Sequence, residues 1–302
     1  MLTTEQRFQG ALLGLACGDA LGTTHEFKPR GTFEPLTDLI GGGPFRLQPG
    51  QWTDDTSMAL CLAESLLQQQ GFDAADQMQR YVRWWQEGYF SSTGVCFDIG
   101  NATRTALQEY LSHGDPFAGS KHPLSAGNGS LMRLVPVVMY FYPHEDECIH
   151  YAGESSRTTH AAAECIDACR YMAALLWLIF QGRDKQALNH CSYQPATRKV
   201  ASLMTTAWSG KSRDEIRGSG YVIDSLEAAL WCFYHTDNYA DAVLSAVNLG
   251  EDTDTTAAIC GQLAGAYYGI DNIPAPWQQK IFIHDTILAM ASQLASRVSY
   301  QS

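Results

Sequence analysis

The chain has 302 residues, 45% of them hydrophobic, and is therefore long enough to bury a large core. Its 20 basic and 32 acidic residues give a formal net charge of −12 at pH 7, which argues against a broad nucleic-acid or anionic-membrane surface as a partner. No linker-like stretch divides the sequence, so we predict a single domain over residues 1–302, acting as a monomer.

The nine cysteines are odd in number and lie mostly within apolar helical patterns, which predicts reduced core residues. The N-terminus lacks the basic start and long apolar region of a signal peptide. The longest uncharged apolar stretch, residues 172–180, is too short to cross a bilayer. These features predict a cytoplasmic protein with no membrane partner.

The first predicted helix runs from Thr4 to about Gly22, and glycine occupies every fourth position from residue 10 onward. Glycine at these positions destabilises an isolated helix, so the pattern predicts a smooth groove into which another backbone packs closely. Residues 23–52 hold too many glycines and prolines for regular structure and are predicted to form a functional loop that carries Glu26.

Two short acidic stretches, Thr53–Thr56 and Glu251–Thr256, each precede an apolar helical run. One interpretation is that they are N-caps, since Asp and Thr favour that position. Capping needs one or two acceptors, whereas each stretch offers at least two carboxylates with hydroxyls between them. Buried carboxylates repel one another unless a cation lies between them. The oxygen ligands suit Mg²⁺, Mn²⁺ or Ca²⁺ rather than Zn²⁺.

The rest of the chain also has a helical pattern. Further helices are predicted at about 73–88, 101–112, 130–141, 145–156, 160–181, 184–191, 221–235, 238–248, 253–268 and 276–297. No segment shows the sustained alternation of a strand, so we predict an all-α fold, with helix 160–181 internal because it is apolar around most of its circumference.

Two loops between these helices contain candidate functional groups. Asp98, in Phe97–Asn101, is either a helix cap or a catalytic carboxylate. The glycines of Gly127–Arg133 form either an ordinary turn or an anion site at a helix start. Arg133 is expected to pair either with phosphate or with a structural carboxylate.

These segments together resemble the ADP-ribosylglycohydrolases, in particular the dinitrogenase-reductase-activating type. The motifs that carry the resemblance are Gly18–Gly22 with Glu26, Gly50–Thr56, Phe97–Asn101, Gly127–Arg133 and Asp252–Thr255. They extend from residue 10 to about residue 268. The resemblance implies a single orthogonal all-α bundle with two Mg²⁺ or Mn²⁺ ions in a central cleft.

The resemblance also implies roles for individual residues. The metal ligands would be Thr53, Asp54 and Asp55 in one set and Asp252, Asp254 and Thr255 in the other. Glu26 and Asp98 would be the catalytic carboxylates. The substrate-binding residues would be Asn101, Gly127, Asn128, Gly129, Ser130, Met132 and His160. A lone histidine such as His160 is otherwise a cap or a core residue.

The implied activity is removal of mono-ADP-ribose from a modified protein side chain. Metal-bound water would attack the anomeric carbon, with Glu26 or Asp98 handling the proton and the leaving group. We predict arginine as the acceptor, because a guanidinium pairs well with a free carboxylate such as Asp98. The partners would be the modified protein, the ADP-ribose product, and an ADP-ribosyltransferase or toxin as the functional counterpart. The alternatives are a non-catalytic ADP-ribose-binding or crystallin-like protein, or a toxin-immunity hydrolase acting on another linkage.

Overall fold

A computed structural model describes residues 1–301, and the side chains of residues 1–298. In the described part of the chain the regular structure is helical, and no β-strand is present, which confirms the all-α prediction. The helices are α1 (Thr4–Gly22), α2 (Asp54–Gln69), α3 (Ala74–Glu87), α4 (Asn101–His113), α5 (Val135–Phe141), α6 (Glu145–Arg157), α7 (Ala163–Phe180), α8 (Lys185–Leu188), α9 (Arg198–Met204), α10 (Val222–Tyr234), α11 (Tyr239–Val247), α12 (Thr253–Tyr268), α13 (Ala275–Lys280) and α14 (His284–Gln301).

The glycines of α1 face α12, which runs antiparallel to it. A Cβ atom placed on Gly14 would lie 2.5 Å from the carbonyl oxygen of Gly261, and one placed on Gly261 would lie 2.1 Å from the carbonyl oxygen of Gly14. Gly10 and Gly265 face each other in the same way. The two backbones therefore touch, and the groove predicted from the sequence is confirmed. This contact sets the C-terminal end of α1 beside the N-terminal end of α12.

Helix α2 begins directly after Thr53 and is buried through most of its length. It packs against α1, α3, α5, α12 and α14. Helix α7 contacts α5, α6, α10 and α12, and two thirds of its residues are buried, which confirms the predicted internal helix. The starts of α2 and α12 and the end of α1 are thus held together inside the core.

The helix predicted over residues 130–141 starts later, at Val135. A side chain distant in sequence explains the difference. Gln262 of α12 accepts a hydrogen bond from the Val135 backbone N–H at 2.9 Å, and its amide nitrogen donates to the Met132 carbonyl at 2.7 Å. Because Gln262 satisfies these backbone groups, residues 128–134 fold into turns instead of a helix.

The helix predicted over residues 276–297 is two helices, α13 and α14. Between them Ile283 adopts a left-handed conformation with φ of 42°, which interrupts the helix. The N–H of the preceding Phe282 donates to the carbonyl of Gly50 at 3.0 Å. A contact with the long loop therefore replaces an intrahelical bond, and the sequence gives no local signal of it.

Three further helical segments differ from the prediction. One is α8, predicted over residues 184–191, which ends at Leu188. Helix α9 is absent from the predicted elements, because its seven residues are too few to show a clear apolar repeat. Its N-cap is Thr197, whose side chain accepts from the Val200 N–H. Helix α7 begins at Ala163, so His160 precedes the helix that was predicted to start there.

The cysteines are all free, seven of them buried and two half-buried, which agrees with the prediction of reduced core residues. In the described part of the chain no helix combines the length and the apolar character needed to cross a membrane.

Candidate functional site

The contact between α1 and α12 brings acidic side chains from three separate segments together. Oxygens of Asp19, Asp55 and Asp254 lie within 4.8 Å of one another, and these three residues are at most 1% exposed. A second set, formed by Glu26, Asp98 and Asp254, meets the same distance limit. Asp254 belongs to both sets, so the two sets form one continuous acidic cluster.

Asp19 lies within the cluster but was not among the residues singled out from the sequence. One of its oxygens accepts from the backbone N–H of Thr53 at 2.9 Å and from its hydroxyl at 2.8 Å. The other accepts from the N–H of Thr56 at 3.0 Å and from its hydroxyl at 2.6 Å. Asp19 therefore caps the start of α2 from a different helix. The available signal was a carboxylate in the otherwise apolar, glycine-lined part of α1 from Gly10 to Gly22.

The hydroxyls of the acidic stretches point at the carboxylates. The Thr53 Oγ1 atom lies 3.2 Å from an oxygen of Asp55 and 3.2 Å from an oxygen of Asp254. The Thr255 Oγ1 atom lies 3.4 Å from the same Asp55 oxygen. The ligand types predicted from both stretches are thus brought together, although their role in binding metal remains a prediction.

Asp252 has a different position from the other predicted ligands. It is not a member of either carboxylate set, but it lines the same cleft, as does Asp54. The Asn128 amide nitrogen donates to Asp252 at 2.8 Å and to the Ser225 hydroxyl at 2.8 Å. Asp252 therefore connects the acidic cluster to the loop around Gly127.

Burial of several carboxylates raises their pKa values. Burial and then the charge of Asp98 raise the pKa of Glu26 to about 10. Burial, followed by the charges of Asp19 and Asp252, raises the pKa of Asp98 to about 7. The pKa values of Asp54, Asp55 and Asp254 are also raised, first by burial and then by neighbouring carboxylates.

Two buried oxygens in the cluster, Oε2 of Glu26 and Oδ1 of Asp55, have no hydrogen-bond partner among the residues that the structure describes. Buried acceptors without a partner are costly, and like charges held this close repel one another. A bound cation removes both penalties, and an all-oxygen donor set suits a hard divalent ion. The residues present therefore fit a metal site.

The cluster forms the floor of a cleft of about 260 Å³. Several predicted substrate-binding residues line it, namely Asn101, Gly127, Asn128, Gly129, Met132 and His160. Thr103 and Gly220 also line the cleft and were not predicted. A wider hollow of about 1050 Å³ adjoins it and shares Asn101, Gly127 and Gly220 in its wall. The cleft and the hollow together can accept a ligand much longer than a single sugar.

The side chain of Ser130, a predicted substrate-binding residue, lies outside the cleft wall, and the binding role of this residue remains a prediction. The residue is 2% exposed and is absent from the cleft wall. Its hydroxyl lies 2.8 Å from that of Ser156. The turn that replaces the predicted helix start directs this side chain into the core.

Arg133 is likewise buried, with 0% exposure. Its donors go to the carbonyls of Gly129 and Ser155 and to the hydroxyls of Thr158 and Thr159. The guanidinium also lies over the ring of Tyr81, 4.8 Å from its centre. Neither predicted partner, phosphate or carboxylate, is therefore the group that this side chain contacts.

Comparison with known proteins identifies the family. A family model described as ADP-ribosylglycohydrolase matches residues 1–302. The chain belongs to the ADP-ribosylglycohydrolase family. This confirms the family resemblance inferred from the sequence, and the protein is accordingly a hydrolase with a clustered acidic site able to bind metal.

Curated relatives of this ADP-ribosylglycohydrolase cover most of its length. It is 45% identical over 286 residues to ADP-ribosylarginine hydrolase Tri1 of Serratia proteamaculans, covering 95% of this chain and 78% of the relative. It is also 45% identical to ADP-ribosylarginine hydrolase Tri1 of Pseudomonas putida, covering 98% and 80%. The ADP-ribosyl-[dinitrogen reductase] glycohydrolase of Rhodospirillum rubrum is 32% identical, covering 92% and 91%.

A solved structure described as an ADP-ribosylglycohydrolase-related protein complex has the same fold as this ADP-ribosylglycohydrolase. The TM-score is 0.86 at 41% sequence identity, covering 97% of this chain and 98% of the other. The all-helical fold is therefore the fold of the family.

Proposed function

We propose that this ADP-ribosylglycohydrolase hydrolyses the bond between ADP-ribose and an arginine side chain of a modified protein. Two relatives at 45% identity are named as ADP-ribosylarginine hydrolases, and this supports arginine over serine as the acceptor. The observation that carries the proposal is the position of Asp98, whose carboxyl group lies beside Glu26 at the cleft. A carboxylate there can accept paired N–H donors from a guanidinium.

We propose that the acidic cluster holds two divalent cations, Mg²⁺ or Mn²⁺. The side chains that would hold them are Thr53, Asp54, Asp55, Asp252, Asp254 and Thr255. Asp19 would support this set, because its two oxygens accept hydrogen bonds from Thr53 and Thr56. The unpartnered oxygens of Glu26 and Asp55 support an ion in this place. When bound, such ions supply positive charge to ribose hydroxyls and lower the pKa of a coordinated water.

Glu26 and Asp98 are the proposed proton carriers. Water adds to the anomeric carbon, the bond from that carbon to the guanidine nitrogen breaks, and the proton released by water reaches the leaving guanidine. The two carboxyl groups have oxygens within 4.8 Å of each other, so a proton taken up by one can pass to the other through one bridging water. In the metal-free protein burial, followed by neighbouring charges, raises the pKa values of both groups, which favours a carboxyl group that carries a proton.

The loop around Gly129 is the proposed cradle for the rest of ADP-ribose. A Cβ atom on Gly129 would lie 2.7 Å from Cε1 of His160, so only glycine lets the loop approach the ring this closely. Asn128 fixes the loop to Asp252 at the edge of the acidic cluster. The cradle and the proposed reaction centre are thus held at a constant separation.

The test is to offer peptides carrying arginine-linked or serine-linked ADP-ribose in parallel and to measure the release of ADP-ribose with Mn²⁺ present. Faster release from the arginine linkage is expected. Asp98→Asn should lower that rate at least about 100-fold, the scale of a lost acid–base group, whereas Asp146→Asn, on an exposed turn of α6, should not. Faster release from serine would overturn the arginine assignment. Binding of ADP-ribose without release from either peptide would instead support a non-catalytic relative.

A further inference from the structure

Arg133 lies outside the cleft but contacts the two segments that form one wall of the cleft, the loop at Gly129 and the residues next to His160. One terminal nitrogen donates to the carbonyl of Gly129 at 3.0 Å. The other donates to the hydroxyl of Thr159 at 2.8 Å and to that of Thr158 at 3.2 Å. The guanidinium therefore fixes the position of the loop before α5 relative to the residues before α7.

The groups around the Thr159 hydroxyl determine which atom it donates its hydrogen to. A guanidinium has donors only, so the oxygen of Thr159 accepts from Arg133 and keeps its own hydrogen to donate. Thr159 is 0% exposed, which excludes bulk water as an acceptor. The remaining hydrogen-bond partner within the described chain is Nδ1 of His160, at 2.8 Å. The hydroxyl therefore donates to Nδ1.

This direction determines the tautomer of His160. In a neutral imidazole one nitrogen accepts and the other carries the hydrogen, so an accepting Nδ1 places the hydrogen on Nε2. The Nε2 atom lies toward the glycines of the loop, since a Cβ atom on Gly129 or Gly127 would lie 3.0 or 3.5 Å from it. His160 lines the cleft. The Nε2–H group therefore faces the space that a ligand would enter.

We propose that Arg133 and Thr159 are positioning residues that hold His160 as the Nε2–H tautomer, so that its ring donates a hydrogen bond to a phosphate or ribose oxygen of bound ADP-ribose. The identity of the ligand rests on the proposed function, whereas the tautomer does not. Burial and the nearby charge of Arg133 lower the pKa of His160 to about 3, so the ring stays neutral at neutral pH. A neutral donor keeps the same hydrogen bond throughout the physiological range.

The first measurement is the ring nitrogen spectrum of the free protein labelled with ¹⁵N-histidine, with the His160 signals identified by their loss in His160→Gln. The expected result at pH 7 is a protonated Nε2 and an unprotonated Nδ1. Thr159→Val removes the donor to Nδ1 and should mix the two tautomers, while Thr159→Ser restores the hydroxyl and should restore the spectrum. A protonated Nδ1 or an imidazolium in the unmutated protein would overturn the proposal.

Thr158→Val is the matched control, because Thr158 accepts from the same guanidinium nitrogen but is not hydrogen-bonded to His160. Affinity for free ADP-ribose, measured by calorimetry, should fall about fivefold to tenfold in Thr159→Val, the loss expected for one hydrogen bond. It should change less than about twofold in Thr158→Val. Equal losses in both variants would show general loosening and refute the positioning role.

If the unmutated protein failed to bind ADP-ribose, the ligand half of the proposal would be wrong together with the proposed function. The nitrogen spectrum would still decide the tautomer, because it is recorded without a ligand. The two failures are thus distinguishable.

Discussion

Buried carboxylates in the cleft make the stability of the metal-free protein depend on pH. Glu26 has a folded-state pKa of about 10 and Asp98 one of about 7, both above the ordinary values of unfolded chains. At a pH between the unfolded-state and the folded-state pKa of each group, the folded state holds more protons than the unfolded state. The free energy of unfolding therefore falls as pH rises through that range. Over pH 6.5 to 8.0 Glu26 accounts for about 2 kcal/mol and Asp98 for a little under 1 kcal/mol, so we expect the metal-free protein to lose about 3 kcal/mol.

The carboxylates dominate this window. His160 has a lowered pKa and opposes the trend mainly below about pH 7, because the unfolded chain then binds the extra proton. Buried cysteines such as Cys17, with raised pKa values, add to the trend mainly above about pH 8. Urea unfolding in EDTA at several pH values measures the slope, and Asp98→Asn should reduce it. Stability that rises over this window would contradict the assignment of these pKa shifts.

Asp19 shows how a residue can matter to a site by orienting other residues. Four donors from Thr53 and Thr56 converge on its two oxygens. In Asp19→Asn an amide nitrogen replaces one acceptor and cannot receive those hydrogen bonds. We expect the affinity for Mn²⁺ to fall about 10–100-fold, as is typical when a supporting partner of a metal ligand is lost.

Titration of Mn²⁺ followed by electron paramagnetic resonance measures that affinity. Asp146→Asn is the control for the loss of one negative charge, since Asp146 is exposed on α6. An unchanged Mn²⁺ affinity in Asp19→Asn would show that this carboxylate supports only the fold.

At the level of helices, the seam between α1 and α12 sets the geometry of the site. Alanine in place of a helical glycine ordinarily stabilises a helix by about 1 kcal/mol. In Gly261→Ala the added Cβ atom would lie 2.1 Å from the carbonyl oxygen of Gly14, a backbone atom that cannot move aside. The steric cost exceeds the gain in helix propensity, so we expect a net loss of at least about 2 kcal/mol.

Thermal and urea unfolding measure this loss. Gly71→Ala is the matched control, because the nearest atom to a Cβ there is a backbone oxygen 4.0 Å away. The control should change stability by less than about 0.5 kcal/mol. A Gly261→Ala variant as stable as the control would mean that the two backbones lie further apart than described.

The helix bounds show what could and could not be predicted from the sequence. Most helices have a regular apolar repeat, so the predicted bounds of α3, α4, α6, α10, α11 and α12 agree with the structure within about one residue. Two of the errors lie where a distant group takes over a backbone hydrogen bond. Gln262 does so before α5, and Gly50 does so between α13 and α14. The local pattern of apolar and polar residues does not indicate such partners.

For the site, the acidic stretches were visible in the sequence because each concentrates more acceptors than a helix start needs. Asp19 and Arg133 were harder to interpret, since each acts through residues from another segment. The direction of the Ser130 side chain also depended on the turn that Gln262 stabilises. Residue types can therefore indicate a site, whereas the orientation of its side chains depends on tertiary contacts.

For the whole molecule, a single domain over residues 1–302 remains a prediction. Helix α1 packs against α12 and α14, so the two ends of the chain share one core. We expect urea unfolding followed by tryptophan fluorescence and by far-ultraviolet circular dichroism to give one coincident transition. Separate midpoints for the two probes would indicate more than one folding unit.

Metal ions should stabilise this core as a whole, because the proposed ligands come from the starts of α2 and α12, and these two helices pack against each other and against α1. Ions that bind only the folded state add stability that grows with the logarithm of their free concentration, by about 1.4 kcal/mol per tenfold increase for each ion bound. Two ions should therefore give a limiting slope of about 2.7 kcal/mol per decade of Mn²⁺, and one ion half of that. Unfolding in urea across a Mn²⁺ series at fixed pH measures the slope. A limiting slope of about 1.4 kcal/mol per decade, the value for one ion, would refute the two-ion proposal. Asp254→Asn changes the carboxylate that both sets share and should therefore reduce the slope the most.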